Sequence, residues 1–128
     1  MKTILIADDS MFMRKILKGI VPKQYRIVEA ETADQVLEQY DKEHPDLIFL
    51  DIVMPGAGEA AGRDILEKLI KAHPSAKVVM VSALGQHRIV QQCKKIGAKD
   101  YIVKPFDEQQ VRQAIEKYLE SPVSPTRL

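Results

Sequence analysis

The chain has 128 residues, which fits one ordinary domain and lets folding bury about two-thirds of the unfolded surface. Nineteen basic against 18 acidic side chains leave a net charge of +1, so charge gives no reason to expect nucleic acid or a membrane surface as partner. The single Cys93 excludes an internal disulfide framework, and no stretch has the length or apolarity of a signal peptide or membrane span, so a cytoplasmic protein without membrane insertion is expected.

Lys2 to Ala7 is apolar without alternation, the pattern of a strand covered on both faces, and Asp9-Ser10 offers an N-cap to a following helix. There Phe12, Ile16 and Ile20, with Met13 and Leu17, repeat at three and four residues and predict the inward stripe, leaving Arg14, Lys15 and Lys18 outside. Gly19 and Pro22 end this helix. Tyr25 to Ala30 predicts a second strand, and Thr32 caps a helix carrying Ala33, Val36, Leu37 and Tyr40. Asp46 to Leu50 is the third strand, followed by a loop rich in Gly and Ala and a helix marked by Ile65, Leu66, Leu69 and Ile70. Lys77 to Val81 predicts the fourth strand, and Ile89, Val90, Cys93 and Ile96 form the stripe of a helix closed by Gly97. Asp100 to Val103 is the fifth strand. Asp107 caps a last helix with Val111, Ala114, Ile115, Tyr118 and Leu119 inward, and Pro122 ends it. Five βα units with nearly continuous apolar strands predict an α/β fold, a doubly wound parallel sheet with right-handed crossovers and helices on both faces. The domain is expected over residues 1–120, with 121–128 a flexible C-terminal tail.

Four of the apolar runs stop at a residue able to do chemistry: Asp8-Asp9 after ILIA, Asp51 after LIFL, Ser82 after VVMV, Lys104-Pro105 after YIV. In a sheet of order 2-1-3-4-5, strands one and three flank the topological switch point, which gathers Asp8, Asp9 and Asp51 around one crevice at the carboxyl edge. Three carboxylates sum to minus three and Lys104 returns one, so a hard cation such as Mg²⁺ would bring the site near neutrality. Singly, each residue has a plainer reading. Asp9 and Ser82 could be helix caps, and Lys104 a surface lysine before a turn proline. Together, a lysine suited to a phosphoryl oxygen stands beside a metal-binding carboxylate cluster. His44, His73 and His87 show no ligand spacing, and Cys93 fits a core stripe.

The succession DDS, LIFLDIVMP, VVMVSA and GAKDYIVKPF resembles the receiver domain of two-component response regulators over residues 2 to about 120. DDSMFMR and SALGQ make it similar, more narrowly, to the single-domain chemotaxis (CheY-like) regulators. The resemblance implies a flavodoxin-like (βα)5 fold of strand order 2-1-3-4-5 and phosphotransfer from a sensor histidine kinase, or from small acyl phosphates, to Asp51. It assigns Mg²⁺ to Asp9, Asp51 and the Val53 backbone carbonyl, with Asp8 acting through a metal-bound water. Lys104 would pair with the phosphoryl group, and the Lys104-Pro105 peptide would be cis. Ser82 and Tyr101 would form a switch that changes a partner surface on helix four, strand five and helix five. Lys94, Lys95 and Lys99 read as a solvated face that this surface could recruit. The implied target is a flagellar switch component or an output domain, with no direct nucleic-acid contact. Ala83 is small enough to leave the acceptor open, and the apolar Val53 and Leu84 would hinder an attacking water and lengthen the life of the phosphorylated form.

One departure stands out. The family usually places Met-Asp-Gly directly after the proline that follows the acceptor, whereas Pro55 leads here into GAGEAAG, Gly56 to Gly62, a longer loop without that acid. Three rivals remain at this point. A Mg²⁺-dependent phosphohydrolase could use Asp51 as nucleophile, but its second acid is expected where Val53 stands. Dinucleotide binding lacks its glycine motif after strand one. A receiver of a larger regulator, with its output domain elsewhere, would leave the same pattern. The expectation is therefore a signalling receiver that catalyses only its own phosphorylation and dephosphorylation.

Overall fold

A computed structural model describes residues 1–54 and 61–120; most of the Gly- and Ala-rich loop and the tail with Pro122 lie outside the described residues. Five strands and five helices alternate: β1 (Thr3–Ala7), α1 (Met11–Ile20), β2 (Arg26–Ala30), α2 (Ala33–Glu43), β3 (Leu47–Leu50), α3 (Ala61–Ala72), β4 (Val78–Ser82), α4 (His87–Ile96), β5 (Asp100–Val103) and α5 (Glu108–Leu119). The strands form one parallel sheet in the order β2-β1-β3-β4-β5, as expected.

Strand composition follows position in the sheet. The inner strands β1, β3 and β4 are buried at every residue and are apolar on both faces apart from Thr3 and Ser82 at their ends. The edge strands β2 and β5 admit Arg26, Glu29 and Asp100. Alternate residues feed two cores. Leu5, Ile48, Leu50, Val78 and Met80 pack with Val36 of α2, Leu66 and Leu69 of α3, and Cys93 of α4. Ile4, Ile6, Phe49, Val79, Val81 and Ile102 pack with Leu17 and Ile20 of α1 and Val111, Ile115 and Leu119 of α5.

Helix ends use the expected residues with two refinements. Thr32 accepts from the Gln35 amide, and Asp107 forms a capping box with Gln110. At α1 the cap is Ser10, whose hydroxyl accepts from Met13 N, which leaves Asp9 without a capping duty. Gln86 is the N-cap of α4, so Ser82 is not. Gly97 closes α4 at φ 142°, a conformation open to glycine.

The face of α1 differs from its periodicity. Phe12 is 72% exposed, whereas Arg14, expected on the solvent face, is buried. The first turn of α1 stands above the carboxyl edge of the sheet, and polar groups rather than packing choose its inward residue, as described below.

Candidate functional site

Register builds the site. Ala7 pairs with Leu50, so the next residues, Asp8 and Asp51, leave adjacent strands side by side. Asp8 N–H reaches the Ala30 carbonyl at 3.1 Å and Asp51 N–H the Ala7 carbonyl at 3.0 Å, which prolongs the ladder by one step and fixes both backbones. Ser82 pairs with Val103, so Lys104 follows directly beside the end of β4. The Lys104-Pro105 peptide is cis.

Asp8 is 1% exposed and Asp51 6%, and charges so deep require partners. Lys104 supplies one to each: its Nζ donates to Asp8 Oδ2 at 2.8 Å and to Asp51 Oδ2 at 3.0 Å. The second oxygens accept backbone N–H groups, Asp8 Oδ1 from Ser10 at 2.9 Å and Asp51 Oδ1 from Val53 at 3.2 Å. Burial pulls the Lys104 ammonium towards deprotonation, but its hydrogen bonds to the two carboxylates and their charges outweigh burial and hold its pKa above that of an ordinary lysine.

Asp9 adds a third, exposed carboxylate. One oxygen from each of Asp8, Asp9 and Asp51 lies within 4.8 Å of the others, the arrangement that could hold a metal ion. The donor set is all oxygen and stays at minus two after Lys104 is counted, which suits a hard divalent cation rather than a soft one.

Around this centre the other expected residues take different places. Ser82 is completely buried, and its Oγ accepts from Leu84 N at 3.2 Å. Tyr101 is half-buried against the core of the α4 face, and its hydroxyl donates to the Leu84 carbonyl. Burial raises the Tyr101 pKa. Val53 stands 47% exposed just past Asp51, and Ala83 is exposed. Leu84 is half-buried against the core, so of the two apolar candidates for hindering water only Val53 stands exposed beside Asp51.

Two features escape sequence reasoning. Gly62, in the first turn of α3, donates to the Ile52 carbonyl at 2.7 Å and lies so close to the backbone of Asp51 and Ile52 that a Cβ would collide with both. Its signal in the sequence is a glycine inside a helical pattern, where alanine is normally favoured by about 1 kcal/mol. The other is Arg14, whose guanidinium reaches the Asp8 carbonyl and Glu29.

Residues 4–116 match the response regulator receiver domain. The chain belongs to that family. It is 44% identical over 119 residues to the chemotaxis protein CheY of Listeria monocytogenes, covering 91% of this chain and 98% of that one. The receiver domain of NtrX from Brucella abortus superposes with a TM-score of 0.83 at 32% identity, over 93% of this chain and 99% of the other. The CheX–CheY–BeF3–Mg²⁺ complex from Borrelia burgdorferi contains a chain with TM-score 0.82 and 32% identity, covering 91% and 87% respectively. The receiver is thus CheY-like in sequence and fold. Among the described residues no helix is long and apolar enough to cross a membrane.

Proposed function

We propose that this receiver is a phosphorylation switch in which Asp51 accepts a phosphoryl group from a phosphohistidine of a sensor kinase. The observation that carries the reading is the placement of Asp51: buried, hydrogen-bonded to Lys104 at 3.0 Å, and grouped with Asp8 and Asp9 at the switch point of the sheet. An Asp51 carboxylate oxygen attacks phosphorus in line; the new O–P bond forms as the donor N–P bond breaks and its electron pair returns to the imidazole. Lys104 is a point charge on a flexible stem and can turn from the carboxylates to an oxygen of the transferring group. Asp9, Asp51 and the Val53 carbonyl would hold Mg²⁺, with Asp8 acting through a bound water. When present, the cation neutralises charge on the transferring oxygens. Ser82 Oγ, already accepting from Leu84, keeps its own proton to donate to the modified Asp51, and Tyr101 follows the loop that Leu84 anchors.

Activity beyond self-phosphorylation and self-dephosphorylation is not proposed, because apolar Val53 occupies the position where a phosphohydrolase carries its second acid. The likeness to the chemotaxis protein CheY of L. monocytogenes supports a role in chemotaxis; a cytoplasmic setting and a surface on α4, β5 and α5 that engages a flagellar switch component are the expectations that go with this reading. The CheX–CheY complex of B. burgdorferi, which contains Mg²⁺ and BeF3, supports both the metal and protein partners. The comparable likeness to the NtrX receiver, and to a longer NtrX chain of which this one covers 27%, supports a second reading, a receiver that serves an output domain.

The test is incubation with acetyl phosphate and Mg²⁺ followed by intact-mass measurement. Wild type is expected to gain one phosphoryl group and Asp51→Asn none. Equal labelling of both proteins would refute Asp51 as acceptor, and steady phosphate release at enzymatic rates would favour the hydrolase.

A further inference from the structure

The buried Arg14 has work that the phosphotransfer scheme leaves unassigned. It lies on α1 one turn past the acids, with its side chain 8% exposed. Its Nη1 donates to the Asp8 carbonyl oxygen at 2.8 Å, a buried bond, while Nε donates to Glu29 Oε1 at 2.8 Å on the edge strand β2. Glu29 is in turn held by Lys18 Nζ at 2.9 Å, and that hydrogen bond, ahead of the one from Arg14, keeps its carboxyl below the usual range despite partial burial.

The geometry of one peptide plane turns this contact into a functional one. The Asp8 carbonyl and the Asp9 N–H belong to the same planar unit, so holding that oxygen restrains ψ of Asp8 and, because Ser10 anchors the chain on the far side, limits the compensating rotation about φ of Asp9. Asp8 has other restraints, in its N–H bond to Ala30 and in Lys104 and Ser10 on its carboxylate. Asp9 has none of these: it is exposed, and no hydrogen bond to its side chain occurs among the described residues. The direction in which Asp9 points is therefore set through its backbone. We propose that Arg14, braced by Glu29, is a positioning residue that aims the Asp8-Asp9 pair at the divalent cation.

This inference rests on the proposed cation site, and its sign separates it from simple electrostatics. Arg14 is a positive charge beside an acidic cluster, so on charge alone its removal tightens cation binding. As a positioning residue, its removal weakens binding, by the ten- to hundredfold typical of groups that orient metal ligands. Mg²⁺ is titrated into ¹⁵N-labelled protein, following amide shifts near Asp9, with thermal unfolding used to confirm a folded baseline. Arg14→Met is expected to raise the Mg²⁺ dissociation constant at least about tenfold. Lys15→Met, which removes one charge from the exposed side of the same turn, is expected to leave it within about twofold. Arg14→Lys keeps the charge but cannot span both Glu29 and the Asp8 carbonyl, so it also weakens binding. An unchanged or tighter constant in Arg14→Met overturns the proposal. Should that variant not fold, a constant within about twofold of wild type in Arg14→Lys overturns it instead. Absence of Mg²⁺ binding by wild type refutes the cation site itself, and the role of Arg14 with it.

Discussion

Replacing Lys104 by Met removes the ammonium that bridges Asp8 and Asp51 while keeping most of the side-chain volume. Breaking a buried ion pair by deleting one partner typically costs about 3–5 kcal/mol, because the remaining charge is stranded. Here two carboxylates lose a partner, but each keeps a backbone N–H, from Ser10 and from Val53, and this places the expected loss near the lower end, about 3 kcal/mol. Lys104 is 16% exposed at its side chain, so solvent screening takes little from that figure. For a domain of this length the loss corresponds to roughly 10 °C in Tm.

Magnesium makes the test specific. A ligand that binds only the folded state stabilises it by about 2.7 kcal/mol at a hundred times its dissociation constant. In the variant the cation is the positive charge nearest the stranded carboxylates, so Mg²⁺ is expected to stabilise it more than wild type. Urea denaturation of both proteins, in EDTA and in saturating Mg²⁺, measures all four stabilities. A loss below about 1 kcal/mol in EDTA, or a larger Mg²⁺ gain in wild type, would refute the view that Lys104 and the cation neutralise the same charges. The pH dependence has a fixed sign. The Lys104 pKa is higher folded than unfolded, so its contribution is complete below about pH 10, the unfolded lysine value, and is lost as pH rises through the folded value. The Lys104 contribution to the gap between wild type and variant is accordingly flat across neutral pH and is lost in alkali, while in acid the gap closes as the stranded carboxylates take up protons.

Substituting Val53→Asn, at the exposed position beside Asp51, together with Leu84→Glu supplies polar groups that can orient water, and the phosphorylated form is expected to decay at least about tenfold faster, followed as loss of the phosphoryl group by intact mass; an equal lifetime would sink the role of Val53 in hindering water. Gly62→Ala drives a Cβ into the Asp51 and Ile52 backbone, so a loss of about 1–3 kcal/mol in urea melts is expected, together with slower labelling by acetyl phosphate. Burial, followed by the hydrogen bond and charge of Glu120, pushes the Tyr25 phenol up to about 12. Its folded pKa exceeds the unfolded value, so its stabilising contribution holds below about pH 10 and is lost as pH rises towards about 12; Tyr25→Phe should remove that late step from a tyrosinate absorbance titration.

The sheet was legible because each strand is a short apolar run stopped by a polar residue, and the acids were legible because those stops sit where ligands bind in this topology. The strands start one residue later than the apolar runs at Lys2, Tyr25, Asp46 and Lys77; of these, Lys2, Asp46 and Lys77 still make a single backbone hydrogen bond to a neighbouring strand, to Arg26, Thr3 and Ile48, and Tyr25 instead closes a turn on Pro22. Asp46, for example, accepts from Thr3 N through its side chain while donating its own N–H to Thr3 O. The inward face of α1 was misread for a deeper reason. Periodicity weighs side-chain type along one helix, whereas Arg14 is drawn inward by a carbonyl on β1's continuation and a carboxylate on β2. Gly62 was hidden in the same way, since its close approach to Asp51 joins positions on separate elements.

Those long-range contacts also decide how the proposed signal can leave the site. Leu84 is the joint: its N–H is held by Ser82 Oγ and its carbonyl by the Tyr101 hydroxyl. The loop has little slack, because a Cβ on Gly85 would lie 2.8 Å from Val103 on the adjoining strand. A hydroxyl can accept and donate at once, so a phosphoryl group on Asp51 can claim the Ser82 proton without first breaking the bond to Leu84. In the proposed switch, moving Ser82 would carry Leu84 with it and withdraw the acceptor of Tyr101. The bond lost is a neutral one worth about 0.5–1.5 kcal/mol net, and the one gained is charge-assisted and roughly twice as strong. A difference of that size biases a two-state aromatic without committing it irreversibly, as a reversible signal requires.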